Sequence, residues 1–372
     1  LRQRAGALPA AIAPGLDTVG VMLPYSGLHV LLLDLVGEPL VMTSANLPGR
    51  PMLIENAEIA SRLRGIADHA LVHDRRIVAR CDDSVVRRTA GRTAFLRRSR
   101  GFTPQGFPID LGPDPILAVG PETGVTFALY ESGTLTLSQH IGSVDNLETY
   151  EFLRGAVDHL SRLLGVGAPK TVACDAHPQF LTSRFARELA EAAGARVVPV
   201  QHHAAHAAAT LAEHGIERAV VGVLDGYGYG ADGSAWGGEV FACDKAAVAR
   251  VGSLRPVRLP GGDLATRHPL RVVAGYLAAA GWTKNEMGSM LTAQGGSPAE
   301  VEAVILQLER GLNAPWSTSA GRFLDAVAAW LGVCRERTYE GEPAMRLEAV
   351  AREGKVLEVE ASLREAEGRR EV

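Results

Sequence analysis

The chain alternates two kinds of stretch. Short apolar runs rich in β-branched residues predict buried strands, and longer segments with apolar residues every three to four positions predict amphipathic helices. In the first hundred residues, 19–24, 40–43 and 70–72 read as strands, and 29–35 and 55–66 as helices. Residues 82–88 read as a turn feeding a strand, with 94–96 as its follower. A Pro/Gly-rich stretch, 105–115, reads as a linker between a first region, 1–104, and a second, 116–372. Past the linker, 116–120, 125–130 and 135–138 form a β-meander. Leu147, Tyr150, Leu153, Val157, Leu160 and Leu164 then mark a helix over 147–164. Strand 171–174, helix 180–193, strand 196–200, an Ala-rich helix and strand 219–224 follow. A meander followed by alternating helices and strands makes this an α/β chain. That order is expected of the actin-like ATPase fold, one α/β option among several.

The Ala-rich helix opens with Gln201-His202-His203-Ala204-Ala205-His206. His202 and His206, four residues apart, fall within about 40° of each other on one face. Two imidazoles at that spacing can share one divalent metal; the same residues also read as a polar helix start. His203 points about 100° away and is left out of the ligand set. Strand 219–224 delivers Asp225 at its end, followed by Gly226, Gly228 and Gly230. Glycine lets the backbone approach a phosphate, and the carboxylate can bind a metal or magnesium-bound ATP. The alternative is a Gly-rich hairpin with a surface Asp. No G-x-G-x-x-G with a distant acidic residue is present, which disfavours a dinucleotide fold. Ser44 and Asn46, after the run 40–43, suit either phosphate or carboxylate oxygens or a plain turn. Arg97, Arg98 and Arg100 form either a solvated edge or a clamp for an anionic ligand.

At 372 residues the chain is long enough for two or three domains. Hydrophobic residues at 47% and charged residues at 22% are those of an ordinary globular protein. A net charge of −4 gives no argument for nucleic acid, and the arginine run lacks interleaved aromatics, so a nucleic-acid partner is not expected. Cys81, Cys174, Cys243 and Cys334 are too scattered for a thiolate zinc site or a disulfide framework, which fits a reducing cytoplasm. No signal peptide and no apolar run of membrane-spanning length is visible, so no membrane partner is expected. The start at Leu1 and the charged tail read as those of a fragment.

Several motifs together resemble one family. Residues 21–25, 39–46 (Pro-Leu-Val-Met-Thr-Ser-Ala-Asn), 80–87 (Arg-Cys-Asp-Asp-Ser-Val-Val-Arg) and 97–101 resemble the C-terminal half of a YrdC-type domain. The version is that of the HypF family, carbamoyltransferases that help mature nickel–iron hydrogenases. Gln201 to His206, residues 224–230 with 236–239, 259–263, 313–327 and 339–345 are similar to that family's C-terminal catalytic domain. This is an actin-like relative of the tRNA threonylcarbamoyl-transfer enzymes.

The resemblance implies a partial YrdC-like domain followed by an actin-like one. It implies ATP with Mg2+ and carbamoyl phosphate as substrates, a carbamoyl-adenylate, and transfer to the C-terminal cysteine of HypE for cyanide-ligand synthesis. It makes His202, His206 and Asp225 catalytic ligands of zinc or iron. Ser44, Asn46, Arg98 and Arg100 in the first domain would contact nucleotide or phosphate, as would Gly226, Gly228, Gly230, Ser319, Gly321, Arg322 and Asp325 in the second. Two metal-bound imidazoles and a carboxylate leave open positions for phosphate or a carbonyl. Residues 317–327 also read as a helix start with Ser/Thr caps, which is compatible with ligand binding.

The sequence departs from the family in places. After Glu122, Thr123-Gly124 stands where the family usually has Lys-Asn, which removes an expected phosphate contact. The acylphosphatase-like domain, the paired C-x-x-C motifs and the late Gly-Gly and Asp-Gly-Gly motifs are not in the chain. Two rival readings follow. One is a carbamoylating enzyme with another acceptor, tRNA or a small molecule. The other is a non-catalytic scaffold that docks a partner.

Overall fold

The computed structural model describes residues 1–4, 6–244, 247–366 and 369–371. These group into two compact units, one spanning Met22–Val200 and the other Leu1–Val21 with Gln201–Val372. This grouping cuts the chain differently from a division at 105–115.

In the Met22–Val200 unit, α1 (Gly27–Val36) starts where the Ser26 side chain accepts the His29 N–H, and it stops at Gly37 in the left-handed region. After α2 (Asn56–Arg62), β1 (Val85–Thr89) and β2 (Arg92–Arg97) form an antiparallel hairpin. Then come β3 (Gly106–Pro108), β4 (Ile116–Val119), β5 (Phe127–Glu131), β6 (Thr134–Leu137), α3 (Leu147–Leu164), β7 (Thr171–Asp175), α4 (Leu181–Ala193) and β8 (Arg196–Val200). Among the described residues the sheet is ordered β3-β6-β5-β4-β7-β8. The meander strands are antiparallel, and β4, β7 and β8 run parallel, as helical crossovers require. Leu153, Val157 and Leu160 of α3 meet Leu117, Phe127, Leu129 and Val172 of the sheet in one core.

Three expected strands are not formed. Residues 19–24, 40–43 and 70–72 are irregular, and Val21, Leu23, Val41 and Leu71 are exposed. A strand needs a partner for its backbone N–H and C=O groups, and no described strand lies alongside these runs. The expected linker is partly sheet: Phe107 in β3 pairs with Leu135 in β6.

The other unit holds α5 (His202–His214), β9 (Ala219–Tyr229), β10 (Ala235–Cys243), β11 (Val248–Ser253), β12 (Val257–Arg258), α6 (Asp263–Arg267), α7 (Leu270–Ala279), α8 (Lys284–Ala293) and α9 (Pro298–Arg310). β13 (Trp316–Ser317), α10 (Ala320–Trp330), α11 (Glu342–Ala351), β14 (Arg364–Ala366) and β15 (Arg369–Glu371) complete it. β10 is central: β9 and β11 flank it antiparallel, and β13 meets it in parallel. Ala207 and Leu211 pack with Val223, Trp236 and Phe241, which fastens α5 to the β9–β10 hairpin. A second core, including Leu259, Val272, Leu291, Val301 and Val304, takes in Ala326 and Ala329 of α10. These two cores fix α5, β9 and α10, the elements that carry the candidate site. Among the described residues no helix is long and apolar enough to cross a membrane.

Candidate metal centre

The site forms where the β9–β10 ladder is interrupted. Trp236 pairs with Gly228 and Gly238 with Leu224, so Gly237 alone faces Asp225, Gly226 and Tyr227. Extra residues in one strand bend it and re-aim a side chain; here the re-aimed side chain is Asp225. A Cβ on Gly237 would stand 2.6 Å from the Asp225 carbonyl oxygen, so glycine is needed opposite the bulge.

α5 begins beside this bend. Its cap is Gln201, whose side-chain oxygen accepts the Ala204 N–H at 2.9 Å. The same amide donates to the Tyr229 carbonyl at 3.0 Å, tying the helix start to the end of β9. His202 Nε2 and His203 Nε2 each lie 3.2 Å from Asp225 Oδ2. His206 Nε2 is 3.3 Å from His202 Nε2. Gly228 makes room for the rings, because a Cβ there would come within 2.7 Å of His202 Cδ2 and collide with His203.

Burial alone would push the Asp225 carboxyl upward. Hydrogen bonds from His202 and His203, the His202 charge and the Gly226 N–H at 2.6 Å outweigh it and hold the carboxyl well below the usual carboxylate range. Asp225 is therefore an anion in a partly buried pocket, surrounded by imidazole nitrogen. His202, His203 and Asp225 offer donor atoms within 4.8 Å of one another, and His206 adds a nitrogen beside His202. Such a nitrogen-and-oxygen donor set suits a borderline divalent ion.

A buried carboxylate supports the hairpin. Glu239 accepts from the Gly237 N–H at 3.0 Å, the Gly238 N–H at 3.3 Å and the Thr318 hydroxyl. Its other oxygen takes the Arg250 Nε–H at 2.6 Å. Arg250 lies 3.9 Å over the Trp236 ring, whose N–H donates to Asp232 at 2.9 Å.

α10 closes the site from another side. The Ser319 hydroxyl donates toward the carbonyls of Asp225, at 3.1 Å, and Gly226, at 2.7 Å, and accepts the Arg322 N–H at 3.0 Å as the helix cap. Gly321 permits the approach, since a Cβ there would lie 2.7 Å from Gly226 Cα. Arg322 pairs with Asp325 at 2.7 Å. Burial lowers the Arg322 guanidinium and raises the Asp325 carboxyl, against their mutual attraction. The buried Arg322 Nε–H has no hydrogen-bond partner among the described residues. Gly230 packs against the Trp236 indole at the end of the glycine run.

Ser44, Asn46, Arg98 and Arg100 belong to the Met22–Val200 unit. The Ser44 hydroxyl bonds the Asn46 side chain, which donates to the Leu47 carbonyl at 3.0 Å. Arg98 donates to the Phe102 carbonyl and lies 4.6 Å over the Phe107 ring. Arg100 pairs with Asp83 at 3.2 Å and donates to the Cys81 carbonyl. Both arginines are thus engaged by other groups of the same unit.

The bend, the imidazoles and the surrounding glycines coincide with family matches along the chain. Residues 112–213 match a model described as HypF Kae1-like domain, and 221–371 one described as carbamoyltransferase, Kae1-like domain, second subdomain. Residues 1–99 match the Sua5/YciO/YrdC model described as telomere recombination. The chain is 46% identical to a probable carbamoyltransferase HypF of Methanocaldococcus jannaschii, over 90% of this chain and 44% of that protein. It is 44% identical to carbamoyltransferase HypF2 of Cupriavidus necator, over 94% and 45%. This chain belongs to the HypF family. The T. kodakarensis HypF crystal structure superposes with a TM-score of 0.91 at 39% identity, over 97% of this chain and 48% of that one. A full-length HypF in a phosphate- and nucleotide-bound form gives 0.89 at 33% identity, over 100% and 57%. The fold is accordingly α/β, with a YrdC-like region and HypF Kae1-like domains. The chain spans about half the length of the curated HypF relatives it matches.

Helical angle alone mislocates the His203 side chain. His203 does not face away from Asp225: it is fully buried and touches the carboxylate. The signal lay in His203, Ala207 and Leu211, an i, i+4, i+8 stripe that forms the buried face of α5. Residue type and spacing assign no role to Gln201 or Glu239, whose roles depend on Tyr229, Arg250 and Thr318, distant in sequence.

Proposed function

We propose that this chain carries the acyl-transfer centre of a carbamoyltransferase. Carbamoyl phosphate and ATP, with Mg2+, would yield a carbamoyl-adenylate, and the carbamoyl group would pass to the C-terminal cysteine thiolate of HypE during hydrogenase cyanide-ligand synthesis. In that step the sulfur forms a bond to the carbamoyl carbon while the bond from that carbon to the AMP oxygen breaks, and AMP leaves. The observation that carries the reading is the junction of His202, His206 and Asp225 at the bend in β9, within a HypF-family chain.

His202, His206 and Asp225 would hold the divalent ion, zinc or iron. When bound, it supplies a Lewis acid toward the carbamoyl oxygen and phosphate. The chain's own groups do the rest. Gly226 leaves its backbone open toward phosphate oxygens, whereas Gly228 and Gly230, expected to do the same, give their space to the histidine rings and the Trp236 indole; Ser319 and Gly321 bring the α10 N-terminus against the same turn. Arg322, fixed by Asp325 and with a spare N–H, offers positive charge beside that turn. Ser44, Asn46, Arg98 and Arg100 are proposed to serve the adenylation pocket, where both arginines would exchange present partners for phosphate. The working compartment is the cytoplasm.

Metal analysis of the purified chain tests this reading. About one equivalent is expected in wild type, and loss in His202→Ala and His206→Ala. A wild-type chain without stoichiometric metal sinks the assignment and leaves the scaffold reading.

A further inference from the structure

We propose that His203 is a positioning residue rather than a metal ligand: locked in one tautomer by Gln201, it donates its Nε2–H to Asp225 and aims that carboxylate. This rests on the metal-centre reading. By distance alone His203 belongs with the donors, since its Nε2 is as close to Asp225 as that of His202. The second ring nitrogen separates the two, because Gln201 presents a donor to Nδ1 of His203.

The Gln201 amide is oriented by two independent partners. A backbone N–H can only donate, so the amide atom 2.9 Å from the Ala204 nitrogen is oxygen. A backbone carbonyl can only accept, so the atom 3.0 Å from the Tyr229 oxygen is the NH2 nitrogen. That NH2 stands 3.3 Å from His203 Nδ1. Facing a donor, Nδ1 carries the lone pair, and a neutral ring then holds its proton on Nε2. Nε2 is 3.2 Å from Asp225 Oδ2, so the proton lies between the two. Both ring nitrogens are thereby used, and no lone pair is left for an ion. The ring is also clamped, with no solvent exposure and with β9 packed on it at Gly228. His202, His206 and Asp225 remain as ligands. The Gln201–His203–Asp225 chain is an outer layer of the kind that fixes ligand direction.

Long-range 1H–15N correlation spectra of metal-free, 15N-histidine-labelled chain read the tautomer directly, and chelator competition reads Zn2+ affinity. Wild type is expected to show His203 with its proton on Nε2. Gln201→Glu keeps an acceptor for Ala204 but faces both Nδ1 and the Tyr229 carbonyl with oxygen, so the tautomer is its diagnostic readout. It should move the proton to Nδ1 and weaken Zn2+ binding about 10–100-fold. His203→Gln, whose amide reaches the position of Nε2, should rescue affinity, whereas His203→Leu should lose the same 10–100-fold. A proton on Nδ1 in wild type overturns the proposal, as does a His203→Gln variant that loses Zn2+ as completely as His202→Ala. If wild type shows the expected tautomer but binds no Zn2+, the metal reading falls and takes the positioning role with it. The wrong tautomer in a chain that binds Zn2+ overturns this proposal alone.

Discussion

Adding one methyl group at Gly228 should disable the proposed metal centre while leaving the rest of β9 in place. The Cβ of Gly228→Ala would stand 2.7 Å from His202 Cδ2 and 2.8 Å from His203 Nε2, where ordinary contact begins near 3.4 Å. The His202 ring would have to retreat by roughly 0.7 Å and the His203 ring, whose Cε1 is closer still, by more, beyond the ~0.5 Å within which a functional site must be held. Neither has slack, since His203 is fully buried and His202 is hydrogen-bonded to Asp225. Overpacking of this kind costs about 1–3 kcal/mol of stability, and displaced ligands should weaken Zn2+ binding by at least about tenfold. Gly222→Ala is the matched control, on the same strand with nothing within 4 Å of its Cβ position. It should stay within about 0.5 kcal/mol of wild type and keep its affinity. Chelator competition and urea denaturation on both variants decide the matter. If Gly228→Ala matches Gly222→Ala in affinity and midpoint, the packing argument is wrong.

Glu239→Gln leaves one oxygen for two sets of donors, so its NH2 must face either the Arg250 N–H or the Gly237 and Gly238 N–H groups. About 3–5 kcal/mol should be lost, read from guanidinium denaturation. Glu239→Leu combined with Arg250→Leu should lose less, because no buried charge is then left unpaired, Asp232 being partly exposed. Ser319→Ala removes the α10 cap and the hydroxyl that holds two β9 carbonyls. It should cost about 1–2 kcal/mol in the same assay. Burial pushes the Tyr276 hydroxyl up to about 12 from its ordinary 10.0. Raised in the fold, this group contributes stability that is fully present below pH 10 and lost as pH rises through 12. Tyr276→Phe should therefore lose less stability than wild type between pH 10 and 12. Equal slopes would refute the assignment.

Elements that close their own hydrogen bonds, or whose partners follow soon after in the chain, were legible. α3 matches the expected 147–164, and β8 the expected 196–200. The runs at 19–24, 40–43 and 70–72 look equally strand-like, yet pairing is a non-local property that their side chains do not encode. β9 runs on to Tyr229, past the expected end at 224, because the glycines rejoin the ladder beyond the bulge. His202, His206 and Asp225 could be chosen by residue type and spacing. What His203 does could not, since it depends on which way the Gln201 amide points, and a carbonyl 28 positions away settles that.

The indole of Trp236 makes the centre optically accessible. It lies 6.3 Å from the His203 ring, is almost fully shielded from water and sits beneath the Arg250 guanidinium. An open-shell ion such as Cu2+ or Co2+ held by the neighbouring imidazoles would quench its emission, whereas Zn2+ would not. The chain has three other tryptophans, at 282, 316 and 330, and Trp236→Phe would separate their light from its own. Occupancy could then be followed in real time in the unlabelled chain.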